Sequence, residues 1–421
     1  MKVNLISLGC PKNLVDSENI LGALGAAGAS LTTSPDDCDI IILNTCAFIR
    51  PALEETEEEI GKALQSLRNG KKLYVVGCAV NRYGALLKHK YPEVSGWHTI
   101  SEIPELISTL LPDAANLHAR LPTTAGYAYM KISEGCSNNC AYCTIPAIKG
   151  AYRSFAMDKL LAEGCELAEL GIKELILIGQ DTTRYGTDIY GQPMLRSLLR
   201  ELAEIRGIDW LRIMYANPKT IDSRVIEEIE LSKKICKYID LPIQHISPRI
   251  LKMMKRGTSR ERLESVIKKL LTIPEISIRT TIIVGFPGET DTEFDELMEF
   301  VGSGYFDWLG VFPYYCEAGT VAAELRQLPD DLIGERYQTA LALQQHLIER
   351  KQRARCGHDY KVLLHSSGDR CVGHAEFCAP EVDGQIHVEG QNLKAGRFYD
   401  VRMTGMRGSD LRGEIIEEMR S

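Results

Sequence analysis

Three thiols follow one another at C-x3-C-x2-C spacing in Cys136-Ser137-Asn138-Asn139-Cys140-Ala141-Tyr142-Cys143, soon after the alternating apolar run Tyr127-Ala128-Tyr129-Met130-Lys131-Ile132. A strand there delivers the chain into a loop of small residues that wraps three sulfurs around one object. Spacings of two or three residues let neighbouring thiolates converge, and they mark zinc or iron–sulfur binding. A four-coordinate structural zinc needs a further ligand from elsewhere in the chain, whereas an iron–sulfur cube held by three thiolates keeps one iron open. The spacing by itself leaves both open.

What surrounds the loop narrows the fold. At 421 residues the chain is long for one compact domain, and two to three domains are expected. From 127 to about 350 strand and helix patterns alternate: strands at 127–132, 174–178, 210–214, 237–243, 278–284 and 308–314, helices near 156–170, 193–206, 221–231, 260–272 and 291–302. About six βα units in succession predict a parallel partial barrel, with the loops at the strand carboxyl ends building the site. The cysteine loop lies on that rim, beside the polar loops starting at Gly179-Gln180-Asp181, Pro242-Ile243-Gln244-His245 and Gly285-Phe286-Pro287-Gly288.

The first 120 residues read as an open parallel α/β sheet. Three apolar runs at 3–8, 39–44 and 73–76 are buried strands, followed by helical patterns at 15–27, 52–68 and 82–90. Cys10, Cys46 and Cys78 each fall just after one of these strands. Ligands gather outside the carboxyl ends of strands in such sheets. Free cysteine is also common in cores, but the same position repeated after three successive strands favours a second three-cysteine cluster site over three unrelated buried thiols.

Thirteen cysteines, no recognisable signal peptide and no 18-residue apolar run predict a reducing, cytoplasmic setting without a membrane. The net charge of −8 is spread evenly, so no segment carries the basic excess that drives non-specific nucleic-acid binding. After a charged helical stretch at 335–355 the pattern changes to short strands with glycine turns, at 360–364, 370–373, 385–388 and 397–403. They predict a small antiparallel five-stranded β-barrel of OB type.

With Tyr142 before its last thiol, the loop resembles the signature of radical S-adenosylmethionine enzymes. That resemblance implies a 4Fe–4S cube whose uncoordinated iron chelates S-adenosylmethionine, and a 5′-deoxyadenosyl radical that abstracts an unactivated hydrogen. Cys10, Cys46 and Cys78 resemble the amino-terminal half of the methylthiotransferases within that superfamily, where a second cluster takes part in sulfur transfer. Two 4Fe–4S clusters and S-adenosylmethionine are therefore the implied cofactors, with an external electron donor.

The stretches Leu8-Gly9-Cys10-Pro11-Lys12-Asn13, Gly179-Gln180-Asp181-Thr182-Thr183 and Ala379-Pro380-Glu381-Val382-Asp383-Gly384 look like the RimO-type branch. That branch methylthiolates the β-carbon of an aspartate in ribosomal small-subunit protein number twelve. A tRNA adenosine methylthiotransferase is the alternative, and a zinc-stabilised scaffold without activity is a more distant one. Tyr315, Cys316 and Lys149 depart from the family pattern, Lys149 standing where arginine is commoner.

By resemblance Gln180, Asp181, Gln244, Arg279 and Gly285 are expected to hold S-adenosylmethionine, with the Tyr142 backbone against the adenine. No catalytic general base is readable. The implied organisation is a methylthiotransferase amino-terminal domain at 1–118, a radical core at 122–352 and a TRAM domain at 353–421. TRAM domains usually bind RNA, but the segment from 357 holds 11 acidic against 8 basic residues, which favours a basic protein partner over RNA.

Overall fold

The computed structural model describes residues 1–67, 70–114 and 119–418. The helix end expected at 68, the domain limit at 118 and the terminus at 421 lie outside them. Two compact units emerge: Met1–Thr123 with Glu134–Ser137 and Cys143–Tyr152, and Thr124–Ser133 with Asn138–Tyr142 and Arg153–Ser421. The cysteine loop is thus shared out between the units, residue by residue. Among the described residues no helix is long and apolar enough to cross a membrane.

In the first unit β1 (Lys2–Ser7), β2 (Ser30–Leu31), β3 (Ile40–Thr45), β4 (Lys72–Gly77) and β5 (Gly96–His98) form a parallel sheet in the order β2-β1-β3-β4-β5. Ile40 to Thr45 are all buried, as befits a strand covered on both faces. The helices start earlier than their apolar pattern suggests. Pro11–Ala26 begins on Pro11, whose missing N–H and fixed φ suit a first helical residue, and Cys78–Lys90 begins directly on Cys78.

The chain continues through β6 (Tyr127–Lys131), the two-residue β7 (Ser133–Glu134) and β8 (Arg153–Ser154), β9 (Glu174–Ile178), β10 (Trp210–Ile213), β11 (Ile235–Asp240), β12 (Ser277–Val284) and β13 (Trp308–Pro313). The second unit holds an open parallel sheet in the order β13-β12-β11-β10-β9-β6. The expected strand at 237–243 instead spans Ile235–Asp240. Pro242 cannot donate to a ladder, and Gln244 takes a left-handed φ of 71° and keeps only an isolated bridge to Ile282. The short helix Pro248–Met253 is not signalled by any long apolar period.

Strand alternation gives this sheet two unlike faces. One is aliphatic, with Leu175, Leu177, Leu211, Ile213, Ile239 and Ile278 packed into a core with Leu198, Leu202, Ile229, Leu263, Ile267 and Leu297 of the surrounding helices. The other carries Tyr127, Tyr129, Glu174, Arg212, Tyr238, Asp240 and Arg279, which could not be left buried without partners.

Those partners come from the closed barrel that follows. It comprises β14 (Asp359–Leu364), β15 (Gly368–Ala375), β16 (Ile386–Leu393), β17 (Phe398–Arg407) and β18 (Asp410–Glu418), closing in the order β14-β15-β16-β18-β17. It is not wholly antiparallel, because β16 and β18 run parallel. Segment 375–383 crosses to the polar face of the core sheet: Arg212 donates to the carbonyls of Glu376 at 2.7 Å and Ala375 at 3.1 Å, Trp308 and Ser277 donate to that of Phe377, and Tyr238 donates to Asp383 at 2.7 Å. Tyr127 and Tyr129 donate to Glu381.

At the centre Glu174, fully buried, accepts from Arg212 at 2.6 Å and from His374. Burial opposes the Glu174 carboxylate, but Arg212 and His374 hold its pKa down at about 2. Replacing Glu174 with Ala leaves a buried guanidinium unpaired, and a loss of about 3–5 kcal/mol is expected in urea unfolding.

His365, whose Nε2 meets His374 Nδ1 at 2.5 Å, has its pKa pushed down to about 3 by burial and by that second imidazole. The unfolded chain, with an ordinary value of about 6.5, binds the extra proton in between, so stability is full above that value and falls as pH drops. A loss of up to about 1.4 kcal/mol per pH unit is expected from this group. His365→Gln should flatten that part of the acid slope of Tm, and an unchanged slope would assign the loss to other groups.

Candidate functional site

Cys10, Cys46 and Cys78 stand at the carboxyl ends of β1, β3 and β4, which are adjacent in the sheet. Their convergence is built by small residues and one amide. Gly9, at φ +85°, has no Cβ to strike the Cys46 side chain, whose Sγ lies 2.8 Å from where that Cβ would sit. Gly77, at φ +107°, similarly leaves space for the Asn44 amide.

The Asn13 amide donates to the carbonyls of Leu8 at 3.0 Å and Thr45 at 2.9 Å, and its oxygen faces Cys78 Sγ at 3.6 Å. Asn44 returns a bond to the Asn13 carbonyl at 2.9 Å. One side chain thereby ties the three cysteine loops together. Asn13 belongs to the Leu8–Asn13 stretch, and its place three residues after Cys10 is the sign of this role in the sequence.

Burial pushes the Cys46 thiol up and Cys78 up to about 12, while Lys149 pulls both down. Lys149 is almost entirely buried, 3.4 Å from Glu134 and 3.8 Å from Asp16. Lys149, which departs from the commoner arginine, is therefore a buried cation beside this thiol site. Cys10 occupies the N-cap position of the helix Pro11–Ala26, and Cys78 is the first residue of its own helix.

The loop from Cys136 to Cys143 is fastened at several points. In the first unit the buried Cys136 donates its N–H to the Gly150 carbonyl at 3.1 Å, Tyr152 N–H donates to Ser137 Oγ at 3.1 Å, and Thr144 Oγ1 donates to the Phe48 carbonyl at 3.0 Å. In the second unit Asn138 donates to Asp181 at 2.8 Å, Ala141 N–H donates to the Met254 carbonyl, and a guanidinium nitrogen of Arg256 lies 3.9 Å from Cys140 Sγ. Cys140 and Cys143 are partly exposed. Among the described residues no group of three or more histidines, cysteines or carboxylates is placed to hold a single metal ion. A cube makes a different demand, since each thiolate binds its own iron at a separate corner, and soft thiolates are its usual ligands. In both sets the chemistry of the donors fits it.

The residues expected around S-adenosylmethionine are placed unequally. Asp181 is buried and accepts from Asn138, from Asn217 at 2.9 Å and from Thr183 at 2.6 Å, so in this structure it anchors the cysteine loop. Arg279 is held by Asp240 at 3.0 Å and Asp383 at 3.2 Å, in the network that seats the carboxyl-terminal barrel. Tyr142 packs beside Ala141, Phe286 and Tyr314. Gln180 follows β9 with its side-chain oxygen buried.

Gln244 pairs its backbone with Thr281 and Ile283. Gly285 donates its N–H to Glu289, which also pairs with Arg336 at 2.7 Å and lies 3.4 Å from His245. Glu289 thus joins the loops after β11 and β12, a role that no spacing in the sequence signalled.

The comparisons with known proteins cover the same ground. Residues 2–98 match the uncharacterized protein family UPF0004, 130–301 the radical SAM superfamily and 356–416 the TRAM domain. Ribosomal protein uS12 methylthiotransferase RimO of Pelotomaculum thermopropionicum is 40% identical, with 99% of each chain covered. Its namesake from Clostridium kluyveri is 41% identical over 99% of each chain, and that from Aquifex aeolicus is 39% identical over 100% of this chain and 98% of its own. Among solved structures, the radical S-adenosylmethionine methyltransferase TsrM from Kitasatospora setae, with cobalamin and a 4Fe–4S cluster bound, has a TM-score of 0.57 at 14% identity, covering 74% of this chain and 72% of that one, a likeness of fold. With relatives matched over its full length and the radical SAM superfamily matched across its core, the chain belongs to the RimO family of ribosomal protein uS12 methylthiotransferases.

Proposed function

We propose that this protein methylthiolates the β-carbon of an aspartate in ribosomal protein uS12, with Cys136, Cys140 and Cys143 holding one 4Fe–4S cluster and Cys10, Cys46 and Cys78 holding a second. The observation that carries it is the full-length match to uS12 methylthiotransferases, joined to two thiol sets that each have a buried or partly buried cation beside them. When bound, the first cluster and S-adenosylmethionine supply hydrogen-atom abstraction from an unactivated carbon. The chain's own part is to hold and insulate. Asp181 fixes Asn138 and with it the cysteine loop; Asn13 sets the spacing of the other three thiols; Lys149 offsets their negative charge.

Among the residues offered for S-adenosylmethionine, Gln180, Gln244, Gly285 and Tyr142 remain in the proposal. Asp181 and Arg279 stay in it as well, and they also brace the cysteine loop and the barrel. The three family matches support three domains, at 1–118, 122–352 and 353–421, in a cytoplasmic enzyme that receives its electron from an external donor.

The partner is a ribosomal protein. On the carboxyl-terminal barrel a groove of about 760 Å³ is lined by Arg370, Arg407 and Arg412 and by Glu389, Asp410 and Glu414. The balance of signs suits a polar protein surface better than a run of phosphates, which calls for basic excess.

Anaerobically reconstituted protein is expected to bind about eight irons, and about four once Cys10, Cys46 and Cys78 are changed to Ala. Four in the unaltered protein would remove the second cluster. Supplied with S-adenosylmethionine, reductant and sulfide, the enzyme should add a methylthio group to uS12 and leave tRNA unchanged by mass analysis. Modified tRNA with untouched uS12 would overturn the substrate assignment.

A further inference from the structure

Arg256 lies outside the stretches quoted above for the family, and the second unit holds it in a defined place. It follows the short helix Pro248–Met253, and the backbone on either side is left-handed, at φ +51° in Lys255 and +67° in Gly257. For a non-glycine residue such as Lys255 that conformation costs about 1–3 kcal/mol and persists only where the surroundings impose it. The turn is pinned by the Arg256 N–H donating to the Leu251 carbonyl at 3.0 Å. It sends the side chain inward instead of letting it follow Lys255, which is exposed.

The guanidinium then touches two loops. One nitrogen donates to the Pro242 carbonyl at 2.7 Å, in the loop after β11. The other lies 3.9 Å from Cys140 Sγ, within hydrogen-bond range for sulfur. Its Nε is buried with no hydrogen-bond partner among the described residues. An arginine guanidinium keeps its proton inside proteins, so Arg256 brings a fixed positive charge to this place.

We propose that Arg256 is a positioning residue for the radical-generating cluster: it orients Cys140 and, by donating to that sulfur, makes the bound cluster easier to reduce. The inference rests on the reading of Cys140 as a cluster ligand. Its physical basis is general. Hydrogen bonds to ligand sulfur and the net charge around a cluster set its potential, and outer-shell partners of metal ligands tune affinity and reactivity. A fixed cation stabilises the more negative, reduced form. Arg256 stays protonated throughout and forms no bond; the electron comes from a low-potential one-electron donor.

The test is a potentiometric titration followed by electron paramagnetic resonance, on the full chain with Cys10, Cys46 and Cys78 changed to Ala so that one cluster is seen. In this background Arg256→Gln keeps a donor for Pro242 but loses the charge. It is expected to load about four irons and to show, at a fixed potential, about a tenfold lower ratio of reduced to oxidised cluster, which is about 59 mV for a one-electron couple. Arg256→Lys should recover most of that shift. An unchanged potential in Arg256→Gln overturns the inference and leaves the cluster assignment standing. Should Arg256→Gln not load iron, Arg256→Lys decides: loading with a near-parental potential supports the role of charge, and failure to load reduces Arg256 to a clamp between two loops. A parent chain without any cluster would instead sink the reading on which the inference rests.

Discussion

A parallel sheet sends the carboxyl ends of all its strands to one edge, and both thiol sets exploit that constraint. In the first unit β1, β3 and β4 are neighbours, so a cysteine just beyond each strand must arrive beside the other two. No long-range coincidence is required; the ladder registers, such as Asn44 opposite Val76, already set the three ends level. In the second unit Cys140 comes from the chain that follows β6, and the loops after β9, β11 and β12 supply Asp181, Gln244 and Gly285. Sheet order thus does most of the assembly, and the side chains that close hydrogen bonds between loops do the rest.

Once thiols are gathered, charge becomes the next difficulty. Thiolates are the metal-binding form, yet burial favours the protonated thiol, as the raised value of Cys78 illustrates. Each set has a cation to counter this. Lys149 stands beside Cys46 and Cys78 in the first unit, and Arg256 beside Cys140 in the second. Their chemistry differs in a fitting way: an ammonium acts as a point charge on several sulfurs, while a guanidinium donates along one direction to one of them. Lys149 is itself steadied by Asp16 and Glu134, so its charge is not left uncompensated before any metal arrives.

Much of this was legible in the chain and some was not, for physical reasons. Strands β6, β9, β10, β12 and β13 fell close to their apolar runs because buried parallel strands are nearly continuous hydrophobic stretches. The placement of Cys10, Cys46 and Cys78 at the ends of neighbouring strands was legible because the same position repeats after three apolar runs. Asp181 and Arg279 were visible as rim polar groups, but their partners Asn138, Asp240 and Asp383 are 39 to 104 residues away at most and known only once the sheet is closed. Arg256 carried no signal at all, since what aims it is the handedness of two backbone residues. The parallel pairing of β16 with β18 was equally hidden, because short alternating strands look the same whichever way they pair.

The segment at 375–383 has a consequence for how such a protein can be taken apart. Its carbonyls and carboxylates are the lining of the core sheet's polar face, supplying Arg212, Arg279, Trp308 and Tyr238 with their partners. A barrel joined in this manner is not an appendage that could be trimmed or exchanged by cutting near 355. Such a graft would succeed only where the incoming module brought matching acceptors at each of those positions. The core sheet and its last barrel therefore stand or fall together as one folded part.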